Sequence, residues 1–298
     1  GIVVKFEKKD TPQKVNIKLF RQGPKDIRLN DTKISQKELI GTLNTVIFCP
    51  EDLQLIKGTP SGRRRFLDME ISQTSATYYH QLMQYNRLLQ QRNAVLKEYR
   101  GKQNIPLEEW DLQLADMASF IVKKRLESLK KINLLIDLMN RKLTGGLENL
   151  TIGYEQPYMD NGSLEYTKEG FYERIKAALP QDRHRLSTSI GPHRDDLKFF
   201  SDAMDLKKFG SQGQQRTAVL SLKLSELEFI KSEVGEYPVL LLDDVLSELD
   251  ESRRANLLQF IHKRIQTFIT TTDIHDFKDL KSVQFISCEG GKVQYGQP

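Results

Sequence analysis

Two adjacent aspartates close the most apolar short run in the chain, Tyr237-Pro-Val-Leu-Leu-Leu-Asp-Asp-Val-Leu-Ser-Glu-Leu-Asp250. The four apolar residues from Val239 to Leu242 read as a fully buried strand of a parallel sheet. Pro238 stands where a strand can begin. Open α/β sheets bind their ligands at the carboxyl ends of such strands, and Asp243 and Asp244 lie there. Two carboxylates together need a partner, and Mg²⁺ carrying phosphate oxygens suits hard oxygen ligands. One acid would hold the metal and the other would polarise an attacking water. The plainer alternative is a strand end whose acids only cap the following helix.

A second stretch, Lys207-Lys-Phe-Gly-Ser-Gln-Gly-Gln-Gln-Arg216, runs into a helix over Thr217–Ile230 with apolar residues at Leu220, Leu224, Leu227 and Ile230. Gly210 and Gly213 allow a ligand to approach the backbone. Ser211 can cap the helix, whose first N–H groups attract phosphate. A capped helix start is common by itself. It gains weight from standing some twenty residues before the apolar-Asp-Asp strand.

The elements that must position these residues show in the hydrophobic pattern. Residues 1–35 alternate as short strands, with Val15, Ile17 and Leu19 on one face and turns at Asp10–Gln13 and Asn30-Asp31. Thr45–Cys49 reads as a buried strand stopped by Pro50. From 75 to 143 the spacing becomes helical. Tyr78, Leu82, Tyr85, Leu89, Leu96 and Tyr99 follow a 4-3 spacing interrupted by Arg92. After a break at Gly101–Pro106, Ala115, Val122, Leu129, Ile136 and Leu143 recur every seven residues. Ala118, Ile132 and Met139 fill the second seam, interrupted by Arg125. Such heptads predict two antiparallel helices. The second, near 36 residues, is about 54 Å long at ~1.5 Å per residue, and so projects from a globular body or crosses it. Gly145-Gly146 stops it. Beyond it come a strand at Leu150–Tyr154, a helix near Lys168–Leu179, a short segment at Leu186–Ile190, alternating helix and strand from 208, and a terminal hairpin turning at Gly290-Gly291.

Composition limits the alternatives. The 298 residues are 29% charged with net charge +5, and no window approaches a membrane span. Two distant cysteines, Cys49 and Cys288, exclude a disulfide framework and a cysteine-built zinc site, which points to the cytoplasm. The charge is uneven. Residues 61–145 hold 15 Lys and Arg against 9 Asp and Glu, and the remainder balances to −1. A basic segment of this kind fits a nucleic-acid partner or a solvated helical face.

Taken together, Ser211-Gln-Gly-Gln-Gln215 resembles the signature motif of ABC-type ATPases, Val239–Asp244 their Walker B strand, and Ser247–Asp250 their D-loop. Further segments resemble the RecF family, in the SMC and recombination-repair branch. They are Phe48–Leu53, Lys57-Gly58, Arg63–Asp68, Gln91-Arg-Asn93 and Gly191-Pro-His-Arg-Asp-Asp-Leu197. The resemblance runs through essentially the whole chain. It implies an α/β, SMC-head-like ATPase fold with an inserted helical arm. Residues 1–60 would belong to the N-terminal ATPase lobe, 61–146 to the basic arm, and 147–298 to the C-terminal part of the lobe. The family's phosphate loop, Gly-x-x-x-x-Gly-Lys-Ser/Thr, does not occur in these residues. The chain accordingly reads as lacking an N-terminal portion and as inactive by itself, within an intact ATPase using ATP and Mg²⁺.

The resemblance also implies roles. Asp243 would hold magnesium and Asp244 would be catalytic. Ser211, Gln212, Gly213, Gln214 and Gln215 would cover the ATP of a second subunit in an ATP-dependent homodimer. Ser247 and Asp250 would line that interface, Glu51 or Asp52 would act as a Q-loop-like sensor, and Thr272 and Asp273 would form the switch. Arg63, Arg64 and Arg65 are the densest basic cluster and the DNA-contact candidates. The motif around His193 and Arg194 receives no role. The implied function is binding of double-stranded DNA near single-strand gaps in recombinational repair, with RecO, RecR and RecA as partners and no membrane. A transporter's nucleotide-binding subunit and a non-enzymatic DNA-binding scaffold are the competing readings.

Overall fold

The structure is a computed structural model of the chain, and it describes residues 1–99, 106–158, 166–272, 277 and 283–296. Four strands open it: β1 (Ile2–Lys8), β2 (Thr11–Lys18), β3 (Asp26–Leu29) and β4 (Thr32–Ile34). A short helix α1 (Gln36–Leu39) leads to β5 (Thr45–Phe48). A 3₁₀ turn at Pro50–Leu53 and α2 (Gln54–Lys57) follow. The helical segment comprises α3 (Pro60–Thr74), α4 (Ala76–Glu98) and α5 (Glu108–Thr144). Next come β6 (Leu150–Glu155), α6 (Lys168–Ala177), α7 (Leu179–Arg185), β7 (Asp196–Ser201), β8 (Met204–Asp205), α8 (Leu206–Phe209), α9 (Gln212–Val234), β9 (Val239–Asp243), α10 (Glu251–Ile261), β10 (Thr267–Thr270), β11 (Ile286–Glu289) and β12 (Lys292–Tyr295).

Three parallel strands form the sheet that matters for chemistry, in the order β10-β9-β5. Their registers bring Phe48 beside Leu242 and Thr270 beside Asp243. The carboxyl ends of all three strands therefore share one edge. Val46, Phe48, Leu240 and Leu242 are buried in the same core as α9. On the opposite face Ile47 and Phe268 flank Leu241 in register, and both are more than half exposed. The sequence reads β9 as buried on both faces. The structure buries one face, because nothing among the described residues lies over the other. Separate antiparallel sheets are built from β1–β4, from β6-β7-β8 and from the β11–β12 hairpin.

Helix α5 has 37 residues, about 55 Å at ~1.5 Å per residue. Its first turn carries Glu108, Glu109 and Asp111 and its last turn Arg141 and Lys142, a distribution that complements the helix dipole. Gly145 ends it at φ +66°, a conformation that disfavours side-chain-bearing residues. Both predicted seams are buried or packed against the core. The helix crosses the molecule, because α4, α6, α9 and β6 all pack along it. The helical segment and the sheet share one continuous core.

The short segment Leu186–Ile190 forms neither helix nor strand. Leu186 ends α7 in the left-handed region at φ +52°. The next strand is β7, where Leu197, Phe199 and Ser201 alternate inward and pair with β6. The break between the heptad helices falls largely on residues 101–105, outside the described residues.

Candidate functional site

At the shared strand edge, Asp243 and Asp244 are exposed. A single hydroxyl organises them. Thr270 Oγ1 donates to Asp243 Oδ1 at 2.7 Å and accepts from the Asp244 N–H at 3.0 Å. That bond fixes one carboxylate oxygen and leaves Asp243 Oδ2 without a donor among the described residues. Asp244 sits at φ +53°, a region Asp tolerates better than most residues. This turns the chain sharply off the sheet, so the two acids do not follow strand alternation. Ser247 Oγ donates to the Asp244 carbonyl at 2.8 Å, closing the loop. Asp250 caps α10, accepting from the Arg253 N–H at 2.9 Å. That backbone hydrogen bond, ahead of the Arg253 charge, holds its carboxyl below the usual range.

The signature stretch forms the start of α9 through a reciprocal capping box. Ser211 Oγ accepts from the Gln214 N–H at 3.2 Å, and Gln214 Oε1 accepts from the Ser211 N–H at 3.0 Å. Gln214 also donates to Glu148 at 3.1 Å, tying the helix start to the loop after α5. Gln215 is buried and donates to the Leu206 carbonyl; it is a strut for α8 and does not face a ligand. Ser211, Gln212 and Gly213 are exposed. The first N–H groups of a helix lack internal partners, and a Cβ on Gly213 would meet only Ser211 Oγ, 3.9 Å away. Gly210 is required by close approach, since a Cβ there would lie 2.6 Å from the Leu206 carbonyl oxygen.

Of the sensor pair, Glu51 is exposed and Asp52 turns inward. Asp52 accepts from the Cys49 N–H at 2.9 Å and pairs with buried Lys223 of α9 at 3.3 Å. Lys223 also pairs with Glu226. Burial, ahead of its carboxylate neighbours, pushes the Cys49 thiol up to about 11, so it is not a thiolate nucleophile. Thr272 is exposed, and Asp273 lies outside the described residues. Thr270, the first residue of the Thr270–Asp273 stretch in which the switch is expected, is the residue that holds the acids. Only the register of two parallel strands puts it beside Asp243.

The arginine cluster divides. Arg63 is 4% exposed and donates bidentately to Asp196 at 2.7 and 2.8 Å and to the Gly58 carbonyl. Each of its three guanidinium nitrogens is engaged and the side chain is buried, so the assignment of Arg63 to DNA is corrected. Arg64 is half-buried and donates to the Asp195 carbonyl; Arg65 is exposed. Neither has a carboxylate partner among the described residues.

The motif left without a role, Gly191–Leu197, belongs to a buried polar brace. Arg125 of α5 pairs bidentately with Asp68 of α3 at 2.9 Å and donates to the Pro192 carbonyl at 2.7 Å. Its third neighbour, Asp195, is fully buried and also accepts from Tyr154. Arg92 of α4, fully buried, reaches Asp111 at 2.6 Å and Asp182 at 2.7 Å. Asn93 accepts from the Thr188 N–H and hydroxyl. His193 lies between the Tyr85 hydroxyl at 2.6 Å and the Thr188 carbonyl at 3.0 Å. Burial, ahead of the neighbouring arginines, lowers it to about 4, so it is a neutral, satisfied imidazole. Gly191 has φ +130°, and a Cβ there would lie 2.4 Å from Tyr85 Oη. The motif is thus structural. The two interruptions of the heptad seams, Arg92 and Arg125, are its anchors.

Comparison with known proteins decides the family. A DNA replication and repair protein RecF from Alkaliphilus oremlandii is 47% identical over 283 residues, spanning 94% of this chain and 77% of that protein. The chain belongs to the RecF family. A RecF from Clostridium botulinum (strain Eklund 17B / Type B) is 46% identical over 287 residues, with 95% and 78% covered. The recombination mediator protein RecF, solved as RecF–ATP and as RecF–ATPrS in the RecFOR pathway, superposes with TM-score 0.87 at 36% identity, covering 96% of this chain and 77% of that one. An SMC head bound to the C-terminal winged-helix domain of ScpA matches at TM-score 0.54 and 13% identity, covering 99% and 72%, which shows the shared fold. No family model matches. RecF membership, together with the SMC-head fold, removes the transporter subunit as a reading. Among the described residues no helix is long and apolar enough to cross a membrane.

Proposed function

We propose that this chain is the larger part of an ATP-switched clamp of recombinational DNA repair, dimerising around ATP and binding double-stranded DNA near single-strand gaps. The observation that carries the reading is the strand edge. Two exposed acids, ordered by Thr270, share a chain with a capped, glycine-opened helix start. Among the described residues, Asp243 has an oxygen free of protein donors, the donor type Mg²⁺ takes, so the residues fit a magnesium nucleotide. Asp243 would hold the ion and Asp244 would orient the water. Ser211, Gln212 and Gly213 would close over the phosphates of a second copy's nucleotide, with Gln214 and Gln215 keeping the helix start in place. Bound magnesium would neutralise charge developing on the phosphates. Ser247 and Asp250 would lie at the interface, with Asp52 as sensor through Lys223 and Thr272 and Asp273 near the switch.

The exposed face carrying Ile47, Leu241 and Phe268 supports a phosphate-loop segment packing there, because parallel sheets are covered on both faces. Without that loop the 298 residues would bind ATP weakly and hydrolyse none. Family membership supports the cytoplasm as the setting and RecO, RecR and RecA as the partners of this reading. Arg65 and Arg64 remain the DNA candidates. Phosphate contacts by such residues predict affinity that falls linearly with log salt.

In a chain carrying the phosphate loop, Asp244→Asn is expected to lower ATP turnover about 100-fold, the scale of losing a positioned general base. The ATP-bound dimer should then persist in analytical ultracentrifugation. Unchanged turnover would sink the assignment.

A further inference from the structure

A cleft of about 500 Å³ lies away from the strand edge, between α3 and α4, closed behind by the Gly191–Asp196 turn. That volume is in the range of sites that bury a compact ligand group. Ile40, Met69 and Leu82 form the aliphatic part of its wall, beside Ser61, Ser72, Gln73 and Asn86. Met69 is 51% exposed, and an exposed methionine adapts readily to an apolar guest. Its floor is the polar brace, with Asp68 and Arg125 satisfied by each other and His193 satisfied on both nitrogens. The floor therefore offers a rigid base and little unmet hydrogen bonding. Arg64 and Arg65 line the cleft as well. Partial burial, then the neighbouring Arg125 charge, lowers the Arg64 pKa, against the pull of Asp195, Asp196 and Asp68.

We infer that this cleft docks a segment of a partner protein in which one apolar side chain stands beside acidic residues. The aliphatic walls would take the apolar anchor, and Arg64 and Arg65 would take the carboxylates. Arginine suits this task because its planar fork matches a carboxylate. Duplex DNA fits less well. Backbone phosphates need protruding cations and no apolar hollow, and unpaired bases stack on open aromatic faces. Here Tyr85 is buried and hydrogen-bonded to His193, leaving Tyr79 as the accessible ring. The inference goes beyond the ATPase reading and does not need it. It shares two arginines with the DNA reading, so peptide and DNA would compete for them.

The test is fluorescence anisotropy on the 298-residue chain with a fluorescein-labelled Glu-Asp-Glu-Leu-Phe-Asp peptide and a labelled 20-base-pair duplex, each titrated separately. The expected result is saturable peptide binding. It should weaken at least tenfold when the peptide's acids become amides, when its Leu-Phe becomes Gly-Gly, or when Arg64 and Arg65 become Glu. Met69→Trp and Leu82→Trp, neutral substitutions at partly exposed wall positions, are expected to weaken the peptide at least tenfold and to leave the duplex within twofold. No saturable peptide binding overturns the inference. So does peptide binding indifferent to both tryptophan variants. Equal loss of peptide and duplex in those variants makes the cleft a nucleic-acid surface and overturns it too. Absence of duplex binding by the unaltered chain would defeat the DNA reading alone, leaving the peptide result to stand.

Discussion

Two regions of this molecule use aspartate in opposite ways. At the strand edge, Asp243 and Asp244 are exposed and held by one threonine hydroxyl. In the brace, Asp182 and Asp195 are fully buried, Asp111 nearly so, and arginines from α4 and α5 meet them. Burial, partly offset by the arginines, raises the pKa of Asp111 and Asp195. The first arrangement leaves oxygen ligands open. The second pairs each buried carboxylate with an arginine, since a buried charge is tolerable only when paired and hydrogen-bonded, although Arg92 Nη2 and Asp195 Oδ1 stay without a hydrogen-bond partner. Density of charge in the sequence therefore does not distinguish a reactive site from a girder. Exposure and the direction of the hydrogen bonds do.

The contrast is broken most directly at Arg92. Arg92→Ala would leave Asp111 and Asp182 buried without their cation. It is expected to destabilise the fold by about 3–5 kcal/mol in chemical denaturation. Asp243→Ala, at the open edge, should stay within about 0.5 kcal/mol. Equal losses would erase the distinction.

A smaller effect follows from His193. Its folded pKa of about 4 lies below the ordinary value of 6.5, so between these values the unfolded chain binds more protons than the folded one. Its contribution is present above pH 6.5 and is lost as pH falls toward 4. Between pH 8 and pH 5 the fold should lose about 2 kcal/mol through this residue. His193→Asn should flatten that part of a stability–pH profile, and an unchanged slope would show that the imidazole charges freely in the fold.

The smallest effect sharpens the other side of the comparison. Thr270→Val removes the hydroxyl shared by the two acids and is expected to cost about 1 kcal/mol. In a chain with the phosphate loop, turnover should fall more than stability does, because both acids lose their common tether. A stability loss with unchanged turnover would make Thr270 a structural residue only.

Much of this was legible in the sequence where the signal is local. The acid pair after Val239–Leu242, the capping box of Ser211 and Gln214, and the seam through Ala115, Val122, Leu129 and Ile136 are read from neighbours within a few positions. The reading failed where partners are remote. Arg63 looked like a surface cation because Asp196, which buries it, lies 133 residues away. The Gly191–Leu197 motif had no role for the same reason: its partners Arg125, Asp68, Tyr85 and Arg63 come from three helices. The bond from Thr270 to Asp243 is not legible in the stretch Thr270–Asp273, because strand register is a property of the assembled sheet.

Helix α5 contains neither glycine nor proline between Glu108 and Thr144. Near its middle Arg125 grips the floor of the cleft, and toward its end Asn140 accepts from Ser221 on the signature helix at 3.1 Å and donates to the Glu148 carbonyl. A rod of this kind has no hinge at which to dissipate a push, since sharp bends arise at proline, glycine or bulges. Pivoting it by about 5° at its centre would carry each end through roughly 2.4 Å, given its length at ~1.5 Å per residue. Any such tilt would move both at once, with the cleft near the centre of the rod and the loop that steadies Gln214 at its far end.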